Sequence, residues 1–276
     1  MAFKTVLATI GATHAQQDID RAIAIAIELD AHLSFLVLGS AVPPFNADYP
    51  FTAVWIDDRQ EKTAALLSVQ EKAAQACRTN GISFDISHRC EDRFVIEHDI
   101  ALRAMYVDVV LMGIGVRKDI DLREAVISAA VFDTRTPLII LPEGSNANLR
   151  PKNVCVAWNS RVEAVSAVRA SMDLLKDADE VHLTLVDPNF AHYGNGGEPG
   201  ADIAAFLSRH GVDVVIEQVA SGGRPTEDVL RQHVTEIGCD MIVMGSYGHS
   251  RLRERIFGGV TAAILEDCPV PVLMAR

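Results

Sequence analysis

The sequence predicts an α/β protein made of two tandem, doubly wound units, each with a five-stranded parallel sheet covered by helices on both faces. Three observations predict it. Short strands rich in Val, Ile and Leu alternate with stretches of helical spacing along the whole chain, the pattern of parallel strands joined by right-handed crossovers. The pattern is written twice: "YVDVVLMGIG" (106–115) matches "GCDMIVMGSYG" (238–248), and "RTPLIILPE" (135–143) matches "PVPVLMAR" (269–276). Apolar residues make up 49% of the chain and aromatic ones only 6%, which favours an aliphatic helix-and-sheet core over an aromatic-rich β fold.

The first copy opens with the strand "TVLATI" (5–10), a helix over 18–29 with Ala and Ile on one side, and the strand "LSFLVLG" (33–39). A loop, "PPFNADYPF" (43–51), leads to a long helix over about 57–79, with Gly81 where a helix-ending glycine belongs. "ISFDISH" (82–88) alternates apolar and polar residues, as a half-exposed strand does. A helix over about 94–105, the strand "VDVVLMG" (107–113), another helix and the strand "PLIILP" (137–142) complete the copy. "PEGSNANLRP" (142–151) has the Gly, Ser, Asn and Pro of a linker, so the domains are expected at 1–143 and 151–276. The second copy runs "NVCVAW" (153–158), a helix over about 163–175, "VHLTLV" (181–186), the loop "YGNGGEPG" (193–200) and a short helix. It continues with "VDVVIEQV" (212–219), a helix after Thr226, "CDMIVMG" (239–245), a Gly- and Arg-rich segment, the helical run "VTAAILED" (260–267) and "VPVLM" (270–274). The stretch "SGGRPTED" (221–228) reads as a turn into a helix, with Thr226 as the N-cap.

The formal charge is −12, from 25 basic and 37 acidic residues, so a nucleic-acid partner is not expected. Five cysteines, Cys77, Cys90, Cys155, Cys239 and Cys268, lack metal-type spacing and sit mostly among apolar residues, as buried thiols of a reducing compartment do. His88, Cys90 and His98 have no compact ligand spacing, and no metal is expected. "MAFKTVLATIGATHAQQD" (1–18) reads as a first strand rather than a signal peptide, and no apolar run approaches the ~20 residues that span a bilayer. The expected setting is cytoplasmic, with no membrane contact.

The chemistry concentrates in "MIVMGSYGHSRLRERIFGGVTAAIL" (241–265). An apolar strand stops at Gly245, Gly248 follows, and Gly258 and Gly259 precede a helix. In a parallel α/β sheet, ligands sit beyond the carboxyl ends of the strands. The first amides of a helix have no internal partner and carry the positive end of its dipole. The two glycine clusters are therefore either plain turns or an anion cradle of bare N–H groups.

"MGSYGHSRLRERIFGGV" resembles the nucleotide-binding signature of the universal stress protein family, G-x2-G-x9-G-[S/T], with Gly245, Gly248 and Gly258 at its glycines. The resemblance covers the whole chain, strongly in the second half and weakly in the first. It implies a Rossmann-like fold of the adenine nucleotide alpha hydrolase kind, and ATP, with Mg²⁺, bound in the second half. It assigns the phosphates or ribose to Met244, Gly245 and Gly248 and, from the far side, Gly258, Gly259, Val260 and Thr261, with His249 inside the signature. Gly259 stands where the family has Ser or Thr; losing a hydrogen bond to a charged group costs about 1.5–3 kcal/mol, roughly one to two decades in affinity. At the first strand of this half, Asn159 stands where the family usually has Asp; it either contacts the nucleoside or caps the following helix. Ala157 and Trp158 either line the adenine slot or pack, and Val186 and Asp187 mark the family's backbone contact to the base. "RLRER" (251–255) adds Arg251 as a weak phosphate candidate. The first half keeps Gly113 but has no late glycine pair and no acidic residue at the end of its first strand, so its nucleotide site is expected to be degenerate.

The resemblance implies a nucleotide-dependent binding or signalling module of the stress response with a protein partner. Two alternatives stay open: a scaffold that binds no nucleotide, and a slow ATPase, although no residue is evident to position an attacking water. "PLIILP" and "PVPVLMAR" would meet as a pseudo-dimer within the chain, and a homodimer is a further possibility.

Overall fold

The structure is a computed structural model that describes residues 3–41, 49–144, 149–188, 198–246 and 259–276. The chain divides into two compact bodies, Phe3–Leu138 and Ile139–Arg276. In the first, β1 (Thr5–Gly11), α1 (Ala15–Leu29), β2 (His32–Ser40), α2 (Tyr49–Asn80), β3 (Phe84–Glu91), α3 (Arg93–Ala104) and β4 (Val109–Met112) follow one another. The short helices α4 (Ile114–Lys118) and α5 (Ile120–Ile127) and a π-helical turn (Ser128–Asp133) complete it, and β5 (Leu138–Ile140) runs across the division. The parallel strands lie in the order β3-β2-β1-β4, and the Val110 N–H donates to Pro137 O at 2.9 Å, just ahead of β5.

The second body contains β6 (Asn153–Ala157), α6 (Val162–Ala170), α7 (Met172–Asp177), β7 (Glu180–Val186), α8 (Ala201–Arg209), β8 (Val214–Val219), α9 (Thr226–Glu236), β9 (Met241–Gly245), α10 (Gly259–Glu266) and β10 (Val272–Ala275). Its order is β10-β9-β6-β7-β8, the same winding as the first. The pairings β1–β2, β1–β4, β2–β3, β6–β7, β6–β9, β7–β8 and β9–β10 are parallel. Each sheet buries its aliphatic strands on both faces: Leu7, Leu33, Phe35 and Leu36 in one body, and Val154, Leu183, Ile242 and Leu273 in the other, are fully enclosed. Each such side chain contributes about 1.5–3 kcal/mol. The edge strand β3 is half-buried along most of its length, as its alternation predicts.

A small clamp of the same kind occurs once within each body. Asp108, just before β4, accepts the Lys4 and Thr5 N–H groups at 2.7 and 2.8 Å. Asp240, just before β9, accepts the Lys152 and Asn153 N–H groups at 2.9 and 3.1 Å. Burial alone would raise the Asp108 pKa, but the Lys4 and Thr5 amides and the Thr5 hydroxyl together outweigh it and lower the value.

Several elements differ from the sequence pattern. α2 begins at Tyr49, so "YPFTAVW" is helix rather than loop, while 42–48 lie outside the described residues. The helix expected over 163–175 is two helices, because the buried Ser171 hydroxyl bonds back to Ala167 O at 2.8 Å and bends the chain there. Pro225, not Thr226, occupies the N-cap of α9; Pro φ and an extended ψ set the entry, and Thr226 is the first helical residue.

All five cysteines are buried, and none forms a disulfide. Burial pushes the Cys77 thiol up to about 11 and Cys155 up to about 12, and raises Cys239 further. The folded protein is therefore expected to resist a thiol reagent at pH 8, and to be labelled at every cysteine once unfolded. Rapid labelling of the native chain would contradict this burial.

Candidate functional site

In the second body the chain winds outward from β6 through β7 to β8, then returns to the other side of β6 with β9 and β10. The direction of winding reverses between β6 and β9, the place where ligands enter a doubly wound sheet. Ala157, at the end of β6, is in register with Met244 of β9 on one side and Thr184 of β7 on the other. The strand exits carrying Trp158, Asp187 and Gly245 are thus adjacent along one edge, spanning about two strand spacings, roughly 10 Å.

Trp158 follows β6, its N–H donating to Thr184 O at 2.9 Å, and its side chain is half-buried. It lines a shallow, solvent-open cleft with Glu198, Gly200, Asp202 and Ile203. Four of those five residues come from the entry to α8 and were not among the sequence candidates. The only signal was the glycine in "EPG" (198–200). Gly200 has φ +92°, and a Cβ there would lie 3.2 Å from Leu185 Cδ1, so only glycine lets the chain enter α8 against β7.

Asn159 is exposed, and its Oδ1 accepts the Arg161 N–H at 3.2 Å ahead of α6. The side chain therefore already serves the helix entry with one atom. Val186 pairs with Val219, and the Asp187 N–H donates to Val219 O at 3.0 Å. Asp187 has φ +43°, and its carboxylate accepts the Ser221 N–H at 3.0 Å. Hydrogen bonds from the Ser221 side chain and backbone lower its pKa.

Gly245 is the most informative of the signature residues. A Cβ on it would lie 2.5 Å from Ala164 N, 2.6 Å from Glu163 C and 2.9 Å from Ala164 Cα. The missing side chain is what lets the first turn of α6 close on the end of β9. Met244 is buried in the same strand. At the start of α10, Gly259 is exposed, Val260 half-buried and Thr261 buried. A Cβ on Gly259 would have only Glu227 Oε1 in reach, at 3.9 Å, so nothing in the packing requires glycine there. Arg231 of α9 holds the other end of α10, donating to Ala263 O at 2.5 Å and Asp267 O at 3.1 Å. Gly248, His249, Arg251 and Gly258 lie outside the described residues.

At the equivalent strand exit of the first body, the buried Asp18 carboxylate accepts the Ile114 N–H at 2.8 Å and the Gly115 N–H at 3.2 Å. A Cβ on Gly113 would lie 2.5 Å from Asp18 Oδ2 and 2.8 Å from Thr9 O. Here the exit amides face the chain's own carboxylate. Desolvation by burial raises the Asp18 pKa, against the lowering effect of the two amides and of His14 and Arg21. Among the described residues, no group of three or more His, Cys, Asp or Glu is placed to hold a metal ion, and no helix is long and apolar enough to cross a membrane.

Comparison with known proteins agrees with this architecture. The family model of the universal stress protein family matches residues 151–276. A stress response protein of Bacillus subtilis is 36% identical over 66 residues, 22% of this chain and 39% of that protein. A universal stress protein of Synechocystis is 34% identical over 50 residues, 18% of this chain and 17% of that protein. The chain thus aligns with well under half the length of these curated relatives. Among solved structures, a universal stress protein from Archaeoglobus fulgidus superposes with a TM-score of 0.70 at 16% identity, covering 98% of each chain. A protein of unknown function from Pseudomonas aeruginosa superposes with a TM-score of 0.61 at 15% identity, covering 99% of this chain and 92% of that one. At such identities these likenesses speak for the fold. The family match falls on residues 151–276, the body whose strand β9 ends at Gly245, and that body is similar to the universal stress protein family.

Proposed function

We propose that the second body binds an adenine nucleotide, ATP with Mg²⁺, across the exits of β7, β6 and β9, and acts as a nucleotide-dependent binding or signalling module in the stress response. The observation that carries this reading is the reversal of winding between β6 and β9, which sets the Trp158 cleft beside the strand leading to α10. The polarity of the site orients the ligand. Glu198 and Asp202 beside Trp158 repel phosphate and can accept hydrogen bonds from an exocyclic amino group, so the base belongs in the cleft. The phosphates then lie toward β9 and the first-turn amides of α10, an eight-residue helix whose dipole favours an anion there. Asn159 Nδ2 and the Gly259 and Val260 amides are the donors on offer. The first body holds its exit amides with Asp18 and takes no nucleotide there. Five buried cysteines outside any disulfide support a reducing, cytoplasmic setting.

A second reading, a scaffold that binds no nucleotide, draws on one observation. The Glu227 carboxylate stands 3.9 Å from the Cβ position of Gly259, a negative charge beside the proposed phosphates. Thermal shift separates the two. Binding at about 100 times Kd adds about 2.7 kcal/mol to stability, so millimolar ATP raises Tm if the site works. Gly259→Ser restores a hydroxyl where space allows and is expected to tighten ATP binding about ten- to a hundredfold. No shift with millimolar ATP, in the wild type or in Gly259→Ser, leaves the scaffold reading.

A further inference from the structure

The start of the β2–β3 pair carries a side-chain cluster that the nucleotide site does not use. The two strands run in register, Leu33 against Phe84 and Ser34 against Asp85. Side chains alternate across a strand, so His32, Ser34, Ser83 and Asp85 stand on one face of the sheet. Their polar ends join in a chain. Ser34 Oγ donates to Asp85 Oδ1 at 2.9 Å. Asp85 Oδ2 is 3.0 Å from His32 Nε2, and His32 Nδ1 is 2.7 Å from Ser83 Oγ. An ionised carboxylate only accepts, so Asp85 takes the proton of Nε2. Nδ1 is then the bare nitrogen of the ring, and the Ser83 hydroxyl donates to it. A hydroxyl on an imidazole that a carboxylate orients is the arrangement that activates a serine nucleophile. The two ring nitrogens have exchanged the roles they play in chymotrypsin-like proteases. Ser83 is exposed, and the His32 and Asp85 side chains keep 36% and 54% of their surface, so a small reagent reaches the hydroxyl.

We propose that Ser83 is a nucleophilic serine that takes the acyl group of small aryl esters, with His32 as its base and Asp85 as a positioning residue. Ser83 Oγ adds to the ester carbonyl as its proton passes to His32 Nδ1. The tetrahedral oxyanion collapses, the bond to the aryl oxygen breaks, and His32 returns the proton to that oxygen. Water repeats both steps on acyl-Ser83 and releases the carboxylic acid. Asp85 steadies the imidazolium formed in between. The class of ester follows from the oxyanion donor. The Leu33 N–H donates to Ser83 O at 3.0 Å, so Ser83 and Asp85 turn their backbone groups toward β2. β3 is the edge strand, and Phe84, between them, turns its N–H to the open side. This amide follows the nucleophile directly in the chain, the place from which an oxyanion donor often comes. An oxyanion held by one amide rather than two is less stabilised, by about 10²–10³ in rate. That selects esters whose leaving group departs readily, as a phenolate does.

The cluster lies in the first body and is independent of the nucleotide reading. p-Nitrophenyl acetate with the full chain tests it. The wild type is expected to release a stoichiometric burst of p-nitrophenolate, with the acetyl group mapped to Ser83 by peptide mass spectrometry. Ser83→Ala is expected to abolish the burst, and His32→Gln to slow it about 10²–10⁴-fold. Asp85→Asn is expected to slow it at an unchanged melting temperature, and Asp85→Glu to restore part of the rate. The substituted side chains are all at least partly exposed, and circular dichroism melts check that each variant folds. A wild type without a burst overturns the proposal. So does a burst that survives Ser83→Ala, or an acetyl group found on His32 or on lysines but not on Ser83.

Discussion

Gly245→Val is expected to destabilise the C-terminal body by about 3 kcal/mol or more, because overpacking against atoms that cannot rotate away exceeds the usual 1–3 kcal/mol. The three atoms that a Cβ would meet, at 2.5–2.9 Å, are all backbone of Glu163 and Ala164 in the first turn of α6. β9 cannot retreat either. It is held by β6 on one side, Val154 to Ala157 against Met241 to Met244, and by β10 on the other, Val272 to Ala275 against Ile242 to Gly245. Against a total stability of 5–15 kcal/mol, a loss of this size shifts the urea midpoint strongly. Gly259→Ala is the contrast: with its nearest neighbour 3.9 Å away, it is expected to change stability by less than about 0.5 kcal/mol. Urea unfolding of both variants, followed by far-UV circular dichroism, checks the pair. A Gly245→Val protein as stable as the wild type but unable to bind ATP would return this glycine to the ligand.

Asp18→Ala is expected to cost the N-terminal body about 2 kcal/mol at neutral pH. It orphans two buried amides, Ile114 and Gly115, each worth about 1–3 kcal/mol, while relieving part of the cost of burying the carboxylate. The pH dependence carries its own sign. The folded pKa of Asp18 is raised above its unfolded value, so the native state holds the proton more tightly. Its contribution is fully present below the unfolded pKa, near 3.9, and is lost as pH rises through the folded pKa. The stability of the wild type relative to Asp18→Asn should therefore increase as pH falls from neutral toward about 4. Urea midpoints of the two proteins across pH 4–8 read this out, and a difference that moves the other way would mean that the amide hydrogen bonds, not desolvation, set the Asp18 pKa.

The fold was legible because its signals are local and repeated. "VDVVLMG" and "CDMIVMG" both became central strands beside the first strand of their unit, and the Asp in each became the same clamp. What the sequence could not convey was three-dimensional coincidence. Gly245 looks like a ligand-facing glycine, and only the packing shows a helix turn filling the space. Asn159 fits both of its readings, and one of its atoms is spent on the Arg161 amide. The Asp18 carboxylate meets amides 96 residues further along the chain, a partnership that no spacing rule encodes. Glu198 and Asp202 entered the cleft unannounced because a carboxylate near a helix start is an ordinary sight in a sequence.

The chain has two tryptophans, and Trp55→Phe leaves Trp158 as the sole indole. Fluorescence of that variant titrated with ATP tests the central claim, a base seated in the Trp158 cleft at the β6–β9 reversal. A saturable change in Trp158 emission, lost when Glu198 and Asp202 are both replaced by Lys, is the predicted result. Emission unaffected by ATP up to several millimolar, in a protein that calorimetry shows to bind ATP, would put the nucleotide elsewhere and contradict it.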